Sequence, residues 1–162
     1  MQFSPSSFYE LAKRLLKDQA YNDESGWRTV INRCYYGVFL QIRENFRIKL
    51  TGIDLKLSKA FEAIYKQGKI HSVVKKMLKS INPKTGTFFA KMQKSRRKSD
   101  YDLYTAISRK EAEETVALAS IILRNIRSDL VKMSNERVKC KLKEHITLAR
   151  ILSVFLFFFV FL

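Results

Sequence analysis

The chain is predicted to be an all-α protein, an antiparallel bundle of four to five helices followed by a hydrophobic C-terminal tail segment. Three observations predict this. Apolar residues recur at three- and four-residue spacing through most of the chain, the period of one helix face. Only five Gly and two Pro occur among 162 residues, too few for the many tight connections of an all-β design. No segment alternates apolar and polar residues as a half-buried strand does, and no internal repeat is present. The length suits one domain with its own core. Apolar residues make up 46% of the chain and are interleaved with charge, which excludes a disordered polypeptide.

The elements follow in order. Ser4 and Pro5 read as a cap and a first-turn proline. Behind them Phe8, Leu11, Ala12, Leu15 and Leu16 keep helical spacing, up to an end near Asp18 to Tyr21. Asn22 to Gly26 is a polar turn. Trp27, Val30, Ile31, Cys34, Val38 and Ile42 then trace a second stripe, widened by Tyr35, Tyr36 and Phe39, which places this helix at the centre of the core up to about Phe46. A less regular region carries a short helix through Leu55, Leu57, Ala60, Phe61 and Ile64, ended by Gln67-Gly68. His71, Val73, Val74, Met77, Leu78 and Ile81 predict another, closed by Asn82-Pro83. A loop through Thr85-Gly86 leads to Phe88, Phe89 and Met92 and into the basic run 94–98. Ser108 with Glu111 is a capping box, in which each side chain satisfies an orphan backbone amide of the first turn. Ala112, Val116, Ala119, Leu123, Ile126 and Leu130 continue that helix for roughly six turns.

The formal net charge is +16. Such an excess attracts polyanions whatever the fold. From Ala63 to Ser99 there are eleven Lys or Arg and no Asp or Glu. A solvated surface ordinarily mixes the signs, so this stretch reads as an anion-binding surface, for which nucleic acid, nucleotide phosphates and an acidic protein all fit. The two cysteines, Cys34 and Cys140, are isolated. That pattern points to a reducing compartment and to neither a disulfide framework nor a zinc site. Met1 to Ser7 has no signal-peptide character, so a cytoplasmic location is expected, and no metal or cofactor.

The C-terminal end differs in kind. Residues 1–133 read as the helical domain, and 134–162 as a basic linker and hydrophobic tail. The last twelve residues carry no charge. As a helix they span ~18 Å against a hydrocarbon core of ~30 Å. Counting from Ile146 gives about 25 Å, but this includes Arg150, which must then snorkel. Membrane association through 146–162, packing on the domain or an oligomer partner, and an end with no evolved role all stand open.

Two stretches about 60 residues apart carry a resemblance. Arg33-Cys34-Tyr35-Tyr36 lies on the central helix. Arg96-Arg97-Lys98-Ser99-Asp100-Tyr101 leads into the capped last helix. Together with His71-Ser72 between them, they resemble the HEPN domains, specifically a short prokaryotic group with an Arg-x-Tyr-Tyr segment and a later Arg-x-x-x-Asp-Tyr segment. The resemblance covers about Ser4 to Asp129. It implies a helical bundle that dimerises. It also implies RNase activity of the kind found in toxin–antitoxin pairs, and a small nucleotidyltransferase as partner.

Active members of that family carry an Arg followed, after four to six residues, by His. Here the positions matching Arg-x4-His-x-Tyr are Arg97, Asp102 and Tyr104, with Asp in place of His. Metal-independent RNA cleavage needs a base for the 2′-hydroxyl, an acid for the leaving oxygen, and cations for the phosphorane. An Asp beside Arg97 is held ionised and serves poorly as the acid. Arg96 and Arg97 retain the fork that clamps phosphate. The candidate catalytic set is therefore Arg96, Arg97, Asp102 and Tyr104, with Arg33, Lys94, Lys98, Asp100 and Tyr101 as binding residues. Arg33 either lines a cleft or needs a buried acidic partner. Tyr104 is, by analogy, the acceptor if a nucleotidyltransferase modifies the chain. His71 reads as a capping or core residue and His145 as a surface one. No P-loop, GxSxG, HExxH or dinucleotide fingerprint is present, so those enzyme classes are excluded.

Overall fold

The computed structural model describes residues 4–66 and 70–160, with the backbone alone for 148–160. Among the described residues every regular element is helical and no strand occurs. The α-helices are α1 (Ser6–Lys17), α2 (Glu24–Thr51), α3 (Leu55–Lys66), α4 (Ile70–Ile81), α5 (Pro83–Tyr101), α6 (Arg109–Lys132) and α7 (Asn135–Val160), with a 3-10 turn at Gln19–Tyr21.

The hub is α2, which packs against α1, α3, α4, α5 and α6. Asp23 starts it by accepting hydrogen bonds from the Gly26 amide (2.7 Å) and the Ser25 hydroxyl (2.9 Å). Val30, Ile31, Cys34, Tyr35, Val38, Phe39, Ile42, Phe46 and Leu50 are all buried along it. Each such aliphatic or aromatic side chain contributes about 1.5–3 kcal/mol when fully buried, which makes α2 the main source of stability. Leu50 continues the buried stripe one turn past Phe46, and the helix accordingly runs to Thr51. Burial pushes the Cys34 thiol up to about 12, so this cysteine is an inert core residue.

Four details differ from the sequence expectations. Ser4 does not cap α1 with its side chain. Its hydroxyl meets that of Ser6 at 2.7 Å, and its carbonyl accepts from Ser7 instead. Thr85-Gly86 is not a loop but the first turn of α5. Asn82 caps that helix by accepting from the Lys84 and Thr85 amides, with Pro83 in its first turn. A proline that cannot continue α4 is well suited to open the next helix, so one dipeptide both ends α4 and starts α5. Gly86 lets the two helices touch, since a Cβ there would lie 2.6 Å from the Lys79 backbone.

The third difference is α7. The stretch read as a basic linker is a helix packed on α3 and α4. Val138, Leu142 and Ile146 are buried at four-residue spacing among half-buried and exposed lysines, a stripe too narrow to stand out from the charge. His145 is buried with them, its Nε2 3.2 Å from the Ser80 hydroxyl, and is not a surface residue. Among the described residues no helix is long and apolar enough to cross a membrane. The tail side chains from 148 on, and the expected helix end at Gln67-Gly68, lie outside the described residues.

Fourth, α5 and α7 raise the helix number among the described residues to seven, where the sequence indicates four to five. The capping box of α6 forms as read: Ser108 accepts from the Glu111 amide, and Glu111 from the Ser108 amide. The face that α6 buries is Ala112, Thr115, Ala119, Ile122, Ile126 and Leu130, with Val116 and Leu123 at its margin.

Candidate functional site

The two motif stretches meet where α5 crosses α2. Asn32, Tyr35 and Tyr36 lie on one face of α2, because residues three and four apart share a helix face. Arg96 and Asp100 stand one turn apart on α5 and meet that face. The Tyr36 hydroxyl accepts a hydrogen bond from Arg96 Nη2 at 2.8 Å. Asn32 Nδ2 donates to both carboxylate oxygens of Asp100, at 2.9 and 3.1 Å. Arg96 Nε is 2.7 Å from Asp100 Oδ2, and its hydrogen is not aligned along that line, so the contact is an ion pair and not a hydrogen bond. Each of the two charged side chains is only 17% exposed. Arg96 also lies 5.2 Å from the ring centroid of Tyr36 and 5.0 Å from that of Tyr101. Burial works against its charge, and the Asp100 carboxylate, Tyr36 and Tyr101 more than offset it, holding the guanidinium firmly protonated.

His71, on α4, joins this cluster although it is distant from both motifs in sequence. Its Nδ1 is 2.8 Å from the Tyr35 hydroxyl, and its ring stacks on Phe39 with centroids 4.0 Å apart. Burial, with Arg96 adding to it, lowers its pKa, so the imidazole is neutral. Burial also pushes the Tyr35 phenol well up. The phenol therefore keeps its proton, and the hydrogen bond joins a neutral phenol to a neutral imidazole.

Along the outer side of α5 runs a groove of about 730 Å³ between α4 and α5, lined by Lys75, Ala90, Gln93, Lys94, Arg97, Lys98, Tyr101 and Asp102. The α5 members are spaced three and four apart, which puts them on one stripe. Lys98 is paired with Glu111 at 2.7 Å. Lys75, Lys94 and Arg97 have no carboxylate partner among the described residues. Repulsion between unpaired cations is the physical reason such a stripe favours an anion.

The turn after α5 is braced from within. Asp102 accepts from the Thr105 hydroxyl (2.6 Å) and the Thr105 amide (3.1 Å). The Thr105 hydroxyl holds its carboxyl below the usual range, against a smaller opposing effect of burial. Asp102 is thus kept ionised as expected, by Thr105 rather than by Arg97, and it makes no ion pair among the described residues. From α2, Arg28 donates to the carbonyls of Ser99 (2.8 Å), Asp102 (3.2 Å) and Thr105 (2.8 Å), and its other edge pairs with Glu24 at 2.7 Å. The last carbonyls of a helix need external donors, and Arg28 supplies them. On this braced turn Tyr101 is 69% exposed, Leu103 78%, and Tyr104 fully exposed.

The predicted residues therefore fall into three groups. Arg96 and Asp100 form an internal bridge with Tyr36 and Asn32. Arg97, Lys94, Lys98, Tyr101 and Asp102 line the groove, and Tyr104, two residues after Asp102 in the chain, is fully exposed. Arg33 belongs to neither, since its guanidinium lies 5.2 Å from the Phe8 ring of α1. Sequence reasoning did not single out Asn32, Arg28 or Gln93. Asn32 stands one turn before Tyr36, a spacing that would have found it; locally Arg28 shows only an i,i+4 pairing with Glu24, while the carbonyls it braces lie 71–77 residues away. A second groove of about 730 Å³, between α1, α2 and α6, is mostly apolar and lies apart from both motifs. Among the described residues no cluster of His, Cys, Asp and Glu is arranged to hold a metal. No family model, curated protein or solved structure matches the chain.

Proposed function

We propose that the protein binds RNA or nucleotide phosphates in the groove between α4 and α5. The observation that carries this reading is that Lys75, Lys94 and Arg97 line one groove without a carboxylate partner, beside the exposed Tyr101. The motif resemblance points to the same stretch of α5. Binding is favoured over cleavage because two of the expected catalytic groups are engaged within the fold. Arg96 is bridged to Asp100 and Tyr36, and Asp102 to Thr105. An ionised Asp102 holding a turn is not available as a proton donor.

The test is retention of single-stranded RNA at several salt concentrations, with a parallel assay for cleavage. Phosphate contacts make log K fall with log salt, by about 0.7 per contact for a single strand. Replacing Lys75, Lys94 and Arg97 together by Ala should weaken binding and flatten the slope by about 2. An unchanged slope, or no retention by the wild type at ~100 mM salt, removes the proposal.

The full exposure of Tyr104 favours one second reading, in which a small nucleotidyltransferase docks on this end and uses that hydroxyl as acceptor. Incubation with such an enzyme and ATP should then add nucleotide mass to the wild type and not to Tyr104→Phe.

A further inference from the structure

The exposed turn after α5 calls for an account that the cationic groove does not supply. Phosphate binding needs Lys and Arg; it does not need Tyr101 at 69% exposure, Leu103 at 78% and Tyr104 fully in solvent. Large apolar side chains grouped on a surface mark a contact site. The backbone that carries these three is also held in place. Arg28 ties the carbonyls of Ser99, Asp102 and Thr105 together, and Asp102 closes the turn through the Thr105 amide and hydroxyl. The Arg96 guanidinium lies 5.0 Å from the Tyr101 ring centroid, close enough to steady that ring. Arg96 is fixed in turn by Asp100 and Tyr36. A rigid backbone carrying exposed rings loses little conformational freedom when a ligand settles on it.

We infer that Tyr104, with Tyr101, is a stacking platform for unpaired bases of a single-stranded nucleic acid whose phosphates lie along Lys94 and Arg97. This rests on the groove being an anion site. It adds that the ligand is recognised by its base faces as well as its charge. Every base has a π-face, and ring stacking with phosphate contacts involves no 2′-hydroxyl. The site is therefore tolerant of sequence and takes DNA as well as RNA. A duplex, whose bases are already stacked on one another, cannot use the platform and is bound only through its phosphates.

The experiment compares short fluorescent probes by anisotropy. They are single-stranded RNA, single-stranded DNA of the same sequence, that DNA with abasic sites, the blunt duplex, and inorganic polyphosphate as competitor. The expected results are RNA and DNA strands within about threefold of each other and the abasic strand about tenfold weaker. Tyr104→Ala should lose about tenfold on intact strands and nothing on the abasic one. Tyr104→Phe, which keeps the ring, should bind like the wild type. Tyr104 is fully exposed, so neither substitution threatens the fold. Equal binding of intact and abasic strands, or an unaltered Tyr104→Ala, overturns the platform while leaving the anion groove standing. So does a Tyr104→Ala that loses binding to phosphatidylserine vesicles but not to oligonucleotides, which assigns the turn to a membrane surface. No binding of any probe and no competition by polyphosphate overturns the groove itself.

Discussion

Arg96 and Asp100 face each other across one turn of α5 at 2.7 Å, and the pair is bolted to α2 through Tyr36 and Asn32. The same arginine that reads as a phosphate clamp in sequence is a cross-brace between helices in space. Removing one member of such a pair leaves the other poorly solvated and unpaired. Arg96→Ala is expected to destabilise the protein by about 2–3 kcal/mol. Arg97→Ala, one residue on and exposed, should change stability by no more than about 0.5 kcal/mol while weakening RNA binding. Urea titration with a binding assay on both variants separates the two roles. Equal stability losses would sink the assignment.

Arg28 is expected to matter at a distance from its own helix. In Arg28→Met the carbonyls of Ser99, Asp102 and Thr105 lose their donor, and Glu24 loses its partner. The loss should be about 2–3 kcal/mol, given that some of these carbonyls can recruit water. Hydrogen exchange should accelerate first around 99–107, including the Ile107 amide, which donates to Glu24. Uniform acceleration across all helices would contradict a local brace.

Gly86→Ala sets helix propensity against packing. Alanine is favoured over glycine in a helix by about 1 kcal/mol. Its Cβ, however, would lie 2.6 Å from the Lys79 backbone, which has no side-chain freedom with which to yield. Forcing α4 and α5 apart costs about 1–3 kcal/mol, so the net effect is a lowered melting temperature. A stabilised Gly86→Ala would show that α5 moves freely against α4.

Acid should weaken the fold before any carboxylate is titrated. Burial depresses the pKa of both His71 and His145 below the ordinary 6.5, with Arg96 adding to the effect at His71. The unfolded chain then binds protons more readily than the folded one, so stability rises with pH across this range. It is fully present above about 6.5 and declines as the pH falls through the lowered folded-state values. Melting temperatures measured between pH 7.5 and 5 should fall, and His71→Gln should flatten the decline. A melting temperature indifferent to pH in that window would refute neutral imidazoles at half-buried His71 and buried His145.

How much of this was legible in the sequence depends on the range of the interaction. The capping box at Ser108 and the apolar stripe of α2 rest on residues within a few positions of one another, and helical periodicity displays them directly, while the basic stretch at 94–98 is visible only as a run of charge. The start of α5 was obscured by Thr85-Gly86, whose turn-like chemistry serves a close helix contact. The apolar stripe of α7 was obscured by the lysines on either side of it.

The chain's own residue order determined that the protein is helical, where its positive charge accumulates, and which tyrosines and arginines belong together as candidates. Only the packing of α5 on α2 and α4 decided which cations face outward. A helix distributes neighbouring side chains about 100° apart, so Arg96 turns inward to Asp100 and Tyr36 while Arg97 turns to the groove. Which direction is inward depends on helices tens of residues away, and no local pattern encodes it.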